Sequence, residues 1–122
     1  MTRTVVLSAP ASSGSRGSPQ GGPFVVSRED QFAALDEAAA LRWMGYGNWG
    51  RDYYPNLVGF SVEAVRVDYC RMRLAYRPIL EQPAGVVHGG AIASLIDSVV
   101  VPAIGSVYEP SVGFATIDLT VQ

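Results

Sequence analysis

The stretch that decides the fold has the sequence His88-Gly89-Gly90-Ala91-Ile92-Ala93-Ser94-Leu95-Ile96-Asp97-Ser98-Val99-Val100-Val101. It is apolar on nearly every side, and after the glycines only Ser94, Asp97 and Ser98 interrupt it, at i, i+3 and i+4 spacing. The pattern predicts a long helix that is buried all round and carries one narrow polar stripe. Pro102 is expected to kink or end this helix within another turn, and Gly105 lets the chain leave it.

Two segments upstream of this helix alternate with a period of two and predict strands near 58–65 and 70–77. Val67 and Asp68 lie between them at the length of a tight turn. An antiparallel hairpin is therefore expected, with one core face and one wet face that bears arginines. Cys70 falls on the core side, and we interpret it as a small buried hydrophobe because no electropositive partner is evident to make a thiolate.

The remaining segments complete an α+β pattern. Ser27 and Asp30 resemble a capping box before a predicted helix near 28–44. The glycine-rich segment 45–50 is expected to be a loop carrying two aromatic side chains, with a mainly structural role and, as the alternative, a place at a ligand entrance. Residues 114–121 alternate again and predict a further strand after the long helix.

Length and composition limit the classes of function. The chain has 122 residues, of which 48% are hydrophobic, enough for one domain with one core. Its net charge is -2 and no block of like charges follows a phosphate backbone, so nucleic acid is not expected as a partner. The single cysteine excludes an intrachain disulfide and fits the reducing cytoplasm.

The N-terminal segment is predicted to lie outside the domain. Residues 1–26 are rich in Ser, Gly and Pro and are interpreted as a disordered tail, which leaves residues 27–122 as the domain. The apolar run at 4–7 is shorter than a signal-peptide core of about 7–15 residues or a membrane span of about 20. Export and membrane insertion are therefore not expected.

Asp97 is the main candidate for chemistry. A carboxyl group in the middle of an apolar helix is costly unless something stabilises it, so either a function or a local hydrogen bond must account for it. The triplet His88-Gly89-Gly90 lies where this helix begins, so backbone N–H groups and the positive end of the helix dipole face an incoming oxygen. The alternative for the triplet is an ordinary turn from loop to helix.

Together these residues resemble a known signature. The run from Gln82 to His88-Gly89-Gly90, followed by Asp97, is similar to the motif of the PaaI-type acyl-CoA thioesterases, relatives of 4-hydroxybenzoyl-CoA thioesterase. The segment 116–120 resembles the strand that follows the central helix of that family. The resemblance implies a hotdog fold, in which an antiparallel sheet wraps around a long central helix. Its C-terminal strands are expected to be missing here, because the family pattern continues beyond that strand.

The resemblance also implies roles for single residues. Asp97 matches the carboxylate that acts as nucleophile or as general base for water. Gly90 or its neighbour matches the backbone donor that polarises the thioester carbonyl. Gln82 matches the amide that orients the attacked group or water, and Thr116 the hydroxyl that holds the water. The implied substrate-binding residues are His88, Gly89 and Ser98, although His88 equally fits a structural role that ties the loop to the helix.

The expected function is hydrolysis of an acyl-CoA thioester by a cytoplasmic homodimer or homotetramer. Gly90 and Asp97 are seven residues apart, roughly 10 Å along a helix, so two subunits are expected to contribute to one site. One His and one Cys do not make a metal site, and no metal or other cofactor is expected. The alternatives are a non-catalytic acyl-CoA-binding hotdog module or a truncated inactive paralogue. A hydratase on a related fold is disfavoured, because such sites resemble helices with a His shortly after the Asp.

Overall fold

The computed structural model describes residues 4–9, as backbone only, and residues 27–122. These residues form a mixed α+β structure with two small antiparallel sheets and a long C-terminal helix. In chain order the strands and α-helices are β1 Thr4–Ala9, α1 Glu37–Met44, α2 Tyr54–Val58, β2 Phe60–Arg66, β3 Tyr69–Ala75, β4 Glu81–Gln82, β5 Val86–Val87 and α3 Gly89–Gly105. Short 3₁₀ helices lie at Arg28–Gln31 and Pro78–Leu80.

The β2–β3 hairpin confirms the prediction from alternation. The two strands pair antiparallel around the turn at Val67 and Asp68, where Asp68 adopts a φ of 57°. Asp tolerates this left-handed conformation better than most side chains do. A bulge between Val62 and Ala64 shifts the register, so the alternation of the sequence holds only up to that point. Cys70 is fully buried, as predicted.

The N-terminal segment corrects the prediction of a disordered tail over 1–26. Thr4–Ala9 forms β1, which pairs antiparallel with β3 and makes β3 the central strand of the sheet. The apolar, β-branched run in this segment favours a strand once a free strand edge is available. The sequence did not reveal that β3, some 60 positions later, has a free edge with which this segment can pair. Residues 1–3 and 10–26 of the predicted tail lie outside the described residues.

Helix α3 is buried on one face only, which corrects the expectation of burial all round. Leu95, Val99 and Ala103 pack into the core against residues of β2 and β3, and Leu95 is 0% exposed. The opposite face is half-buried, because a single three-stranded sheet covers only one side of a helix. The predicted end is confirmed: Pro102 lies in the last turn and α3 ends at Gly105.

The predicted helix over 28–44 is two elements. Ser27 and Asp30 cap only the short 3₁₀ helix, where the Ser27 N–H donates to the Asp30 carboxylate at 3.0 Å. Helix α1 begins after Asp36, whose Oδ1 accepts from the Ala39 N–H at 2.8 Å. Between them, Phe32 stacks on a hairpin tyrosine with ring centroids 4.8 Å apart. That tertiary contact interrupts a continuous helical pattern.

Two further strand predictions are corrected. The strand predicted from residue 58 begins at Phe60, since 54–58 forms α2 and Gly59 ends it with a left-handed φ of 94°. The strand predicted over 114–121 is absent: these residues are exposed coil, and Ile117 is 99% exposed. Alternation predicts a strand only where a partner edge exists, and among the described residues none pairs with this segment.

The Cys70 thiol is expected to be unreactive in the folded chain. Burial raises its pKa to about 12, so almost no thiolate forms at pH 8. An aromatic disulfide reagent should therefore label the chain only after unfolding in guanidinium chloride, which absorbance of the released thiol measures. Rapid labelling of the native chain would contradict the burial.

The same pKa shift sets the sign of a pH effect on stability. The folded pKa of about 12 exceeds the ordinary 9.0, so the unfolded chain loses this proton first. The stabilisation is complete below pH 9 and is lost as pH rises toward 12. By pH 10 the free energy of unfolding should fall by about 1 kcal/mol more in wild type than in Cys70→Ala, as measured by urea denaturation. Parallel pH profiles of the two proteins would exclude this effect.

Candidate functional site

The polar stripe of α3 is held by hydroxyl groups from other segments. The Tyr54 hydroxyl, at the start of α2, forms a hydrogen bond of 2.8 Å with the Ser94 hydroxyl. Ser98, which is buried, forms a hydrogen bond with the Tyr46 hydroxyl from the loop after α1. The stripe predicted from sequence therefore exists, and it faces the α1–α2 segment.

Asp97 is the central member of the stripe and is half-buried. The Thr116 hydroxyl donates to its Oδ1 at 2.5 Å, a length typical of a charge-assisted hydrogen bond. Within the described part of the chain, no donor reaches Oδ2. One carboxylate oxygen is therefore fixed, and the other can accept a proton from a ligand or a water.

Asp97 and Thr116 open onto a cavity of about 570 Å³, here called the carboxylate cavity. Val100, Val101 and Ile104 of α3 form one wall, and Phe114 and Ala115 form the other. Tyr46, from the loop after α1, also lines it. Asp97 is the one carboxylate among the residues that line this cavity, so a ligand there meets a single carboxylate beside the aliphatic side chains of α3.

Tyr46 is a cavity residue that was assigned no specific role from the sequence beyond its place in the loop. Burial raises its pKa, the hydrogen bond to Ser98 opposes that rise, and the nearby negative charge of Asp97 adds to it. Its phenol is therefore neutral at physiological pH and can donate a hydrogen bond. The available signal was an aromatic residue between two glycines directly after a helix, which the sequence interpretation assigned mainly to structure.

The start of α3 places His88 in a capping role. The Nδ1 atom of the His88 ring accepts a hydrogen bond from the Gly90 N–H at 2.8 Å, and the His88 backbone N–H donates to the Leu80 carbonyl at 2.7 Å. The Gly90 N–H is therefore already bound. The Gly89 N–H donates to no residue in the described ranges, and nothing lies within 4 Å of where a Gly89 side chain would begin. Gly89, rather than Gly90, presents the free amide.

The structure brings together only part of the predicted site. Thr116 reaches Asp97, and Ser98 lies one residue further along the stripe. Gln82 lies in the β4–β5 hairpin opposite Val86, half-buried, and does not line the carboxylate cavity. The residues at the start of α3 are about two turns from Asp97, which is roughly 10 Å along the helix axis.

A second cavity of about 450 Å³ adjoins the first and shares Tyr46, Val101 and Phe114 with it. We call it the aromatic cavity, because five aromatic side chains from α1, the following loop and α2 line it. They are Trp43, Tyr46, Trp49, Tyr53 and Tyr54. Arg42 contributes the positive charge of its lining. The two cavities therefore have Tyr46, Val101 and Phe114 as common lining residues, and we treat them together as the candidate site.

The arginines of the wet sheet face are paired with acidic side chains. Arg71 contacts Glu29 at 2.5 Å and Glu63 at 3.2 Å, and Arg73 lies 4.0 Å from Glu63. These contacts favour the interpretation of a solvated face over a surface for coenzyme A phosphates. Surface pairs of this kind contribute little to stability.

No protein-family model, curated protein or solved structure matches this chain. The resemblance to the PaaI-type thioesterases therefore rests on its motif residues alone. Over residues 4–9 and 27–122, no helix has the length and apolar character needed to cross a membrane. The same ranges hold no group of three or more His, Cys, Asp or Glu side chains placed to bind a metal ion.

Proposed function

We propose that this chain is a hotdog-type acyl-CoA thioesterase of the PaaI kind, with Asp97 as its catalytic carboxylate. The observation that carries the proposal is the position of Asp97. It lies half-buried in the middle of an apolar helix, opens onto a cavity, and accepts a hydrogen bond from Thr116. The motif resemblance implies a role for each of these two residues, and their contact does not require the strand that was predicted to carry Thr116.

The proposed chemistry is hydrolysis with Asp97 as general base. A water bound at Asp97 Oδ2 loses a proton to the carboxylate as its oxygen attacks the thioester carbonyl carbon. The tetrahedral intermediate then expels the thiolate, which takes up the proton and leaves as coenzyme A, with a free acid as the second product. Thr116 fixes the carboxylate through Oδ1, so Oδ2 stays directed at the water.

The oxyanion needs a donor that Asp97 does not supply. The Gly89 N–H at the start of α3 is free and lies at the positive end of the helix dipole, but on the same helix it is too far from Asp97. We therefore propose that a second copy of the chain supplies it. The exposed Ile104, which lies half a turn around α3 from the buried Leu95 and so faces away from the sheet, supports pairing of two chains. The proposed enzyme is a cytoplasmic homo-oligomer.

The second candidate is a module that binds acyl-CoA without hydrolysing it. One observation favours it: the Gly90 N–H, the expected oxyanion donor, already donates to His88. If the Gly89 N–H does not take the place of the Gly90 N–H as donor, the thioester carbonyl is bound without being polarised. The two cavities would then hold an acyl group without turnover.

One preparation of the chain tests both candidates. Short aliphatic, long aliphatic and aromatic acyl-CoAs are mixed with the protein, and released thiol is followed with an aromatic disulfide reagent while calorimetry measures binding. Multiple turnovers per chain with at least one substrate are expected from the thioesterase. Saturable binding without thiol release would identify the binding module instead. Neither binding nor release with any of the three substrate types would refute both candidates.

A further inference from the structure

Arg42 in the aromatic cavity carries a charge that the described residues do not neutralise. Its guanidinium carbon lies 4.9 Å from the ring centroid of Trp43 and 5.6 Å from that of Trp49. Within residues 27–122, no carboxylate lies within ion-pair distance of Arg42, and no acceptor takes a hydrogen bond from its side chain. The side chain is half-buried, so part of its hydration is lost without a compensating anion.

The geometry of a guanidinium group determines what can bind there. Its two faces suit aromatic rings, whereas its N–H donors point outward in the plane of the group. Both indole rings lie within cation–π distance of the Arg42 guanidinium carbon, and no acceptor within residues 27–122 takes a hydrogen bond from its N–H groups, which leaves these donors for a ligand. A carboxylate matches this edge with two parallel hydrogen bonds, which are stronger than bonds between neutral groups.

The aromatic walls are preformed. The Trp49 Nε1–H donates to the Arg42 carbonyl at 2.9 Å, which fixes this indole relative to α1. Trp43 and Trp49 meet edge to face with centroids 5.7 Å apart, and Tyr46 and Trp49 do so at 5.6 Å. Rings held in this way can stack on a flat ligand with little loss of side-chain entropy.

We propose that the aromatic cavity binds a planar ring that bears a carboxylate, with the ring among the aromatic side chains and the carboxylate on Arg42. The inference does not require the chain to be an enzyme. If the chain does hydrolyse thioesters, the shared wall at Tyr46 places this group next to the carboxylate cavity, as the distal end of the acyl group.

The tryptophans give a direct readout of binding. The chain has two, Trp43 and Trp49, and both line the aromatic cavity. Benzoate and benzamide have the same ring and differ in charge, and acetate has the charge without the ring. In wild type we expect saturable fluorescence quenching by benzoate, affinity about tenfold weaker or worse for benzamide, and no saturation by acetate.

Variants of the arginine test the assignment. Arg42→Gln should bind benzoate and benzamide with equal affinity, whereas Arg42→Lys keeps a positive charge and should keep part of the preference. Arg51→Gln is the matched control: Arg51 stacks on Tyr53 at 4.5 Å but does not line the cavity, so the preference should be unchanged. Thermal midpoints are measured for all variants, and the wild-type comparison of ligands stands even if Arg42→Gln fails to fold.

Two results would overturn the proposal. One is equal affinity of wild type for benzoate and benzamide, and the other is an unchanged preference in folded Arg42→Gln. Failure of thiol release in the acyl-CoA assay leaves the benzoate result unaffected, so the two proposals fail separately.

Discussion

Asp97→Asn is expected to lower kcat/KM for acyl-CoA hydrolysis by roughly 10²–10⁴-fold, the usual contribution of a general base. Asparagine has nearly the same shape, and its side-chain carbonyl can still accept the hydrogen bond from Thr116. It lacks the oxygen that takes the proton from water. Because the change removes an interaction made in the transition state, kcat should fall and KM should change little.

The C-terminal segment offers a matched control for this substitution. Asp118 is an exposed carboxylate two residues from Thr116 and does not line the carboxylate cavity. Asp118→Asn should therefore leave kcat and KM within about twofold of wild type. Thermal midpoints of both variants should stay close to wild type. If Asp97→Asn retained activity equal to that of Asp118→Asn, Asp97 would not be the base.

The elements that sequence predicted well are those with local patterns. The hairpin of β2 and β3 needs only two alternating segments and a short turn, and α3 needs only one apolar run with a proline near its end. The errors concern pairing between distant segments. Residues 4–9 contain β-branched residues and residues 114–121 alternate, so each sequence favours a strand. Residues 4–9 form a strand because the edge of β3 is available to them, whereas 114–121 are coil because no strand edge among the described residues pairs with them.

The candidate site shows the same division. Asp97 stood out because a carboxylate interrupts an apolar helix, whereas the hydrogen bond that Thr116 donates to it depends on how the C-terminal segment packs against α3. Tyr46 could not be found in this way, since its hydroxyl reaches Ser98 only through the tertiary packing of the loop against α3. The role of Arg42 likewise depends on tertiary packing, which brings two indoles, one of them from the loop, within cation–π distance of its guanidinium group.

Gly105→Ala is expected to lower the free energy of unfolding by about 3 kcal/mol, near the upper end of the usual range for overpacking. A Cβ atom at this position would lie 2.3 Å from Trp43 Cζ2 and 2.4 Å from Cη2, much closer than van der Waals contact allows. Trp43 is 4% exposed, so its ring cannot move without displacing its neighbours. Urea denaturation measures the loss.

Gly89→Ala provides the same substitution at the other end of the helix, where nothing lies within 4 Å of the new Cβ. There the change should be neutral or stabilising by up to about 1 kcal/mol, because alanine restricts the unfolded chain. Gly105→Ala should also weaken the fluorescence quenching by benzoate, because the new methyl group displaces the Trp43 ring, which forms a wall of the aromatic cavity. Equal stabilities of the two glycine variants would show that α3 and α1 do not pack in close contact at this crossing.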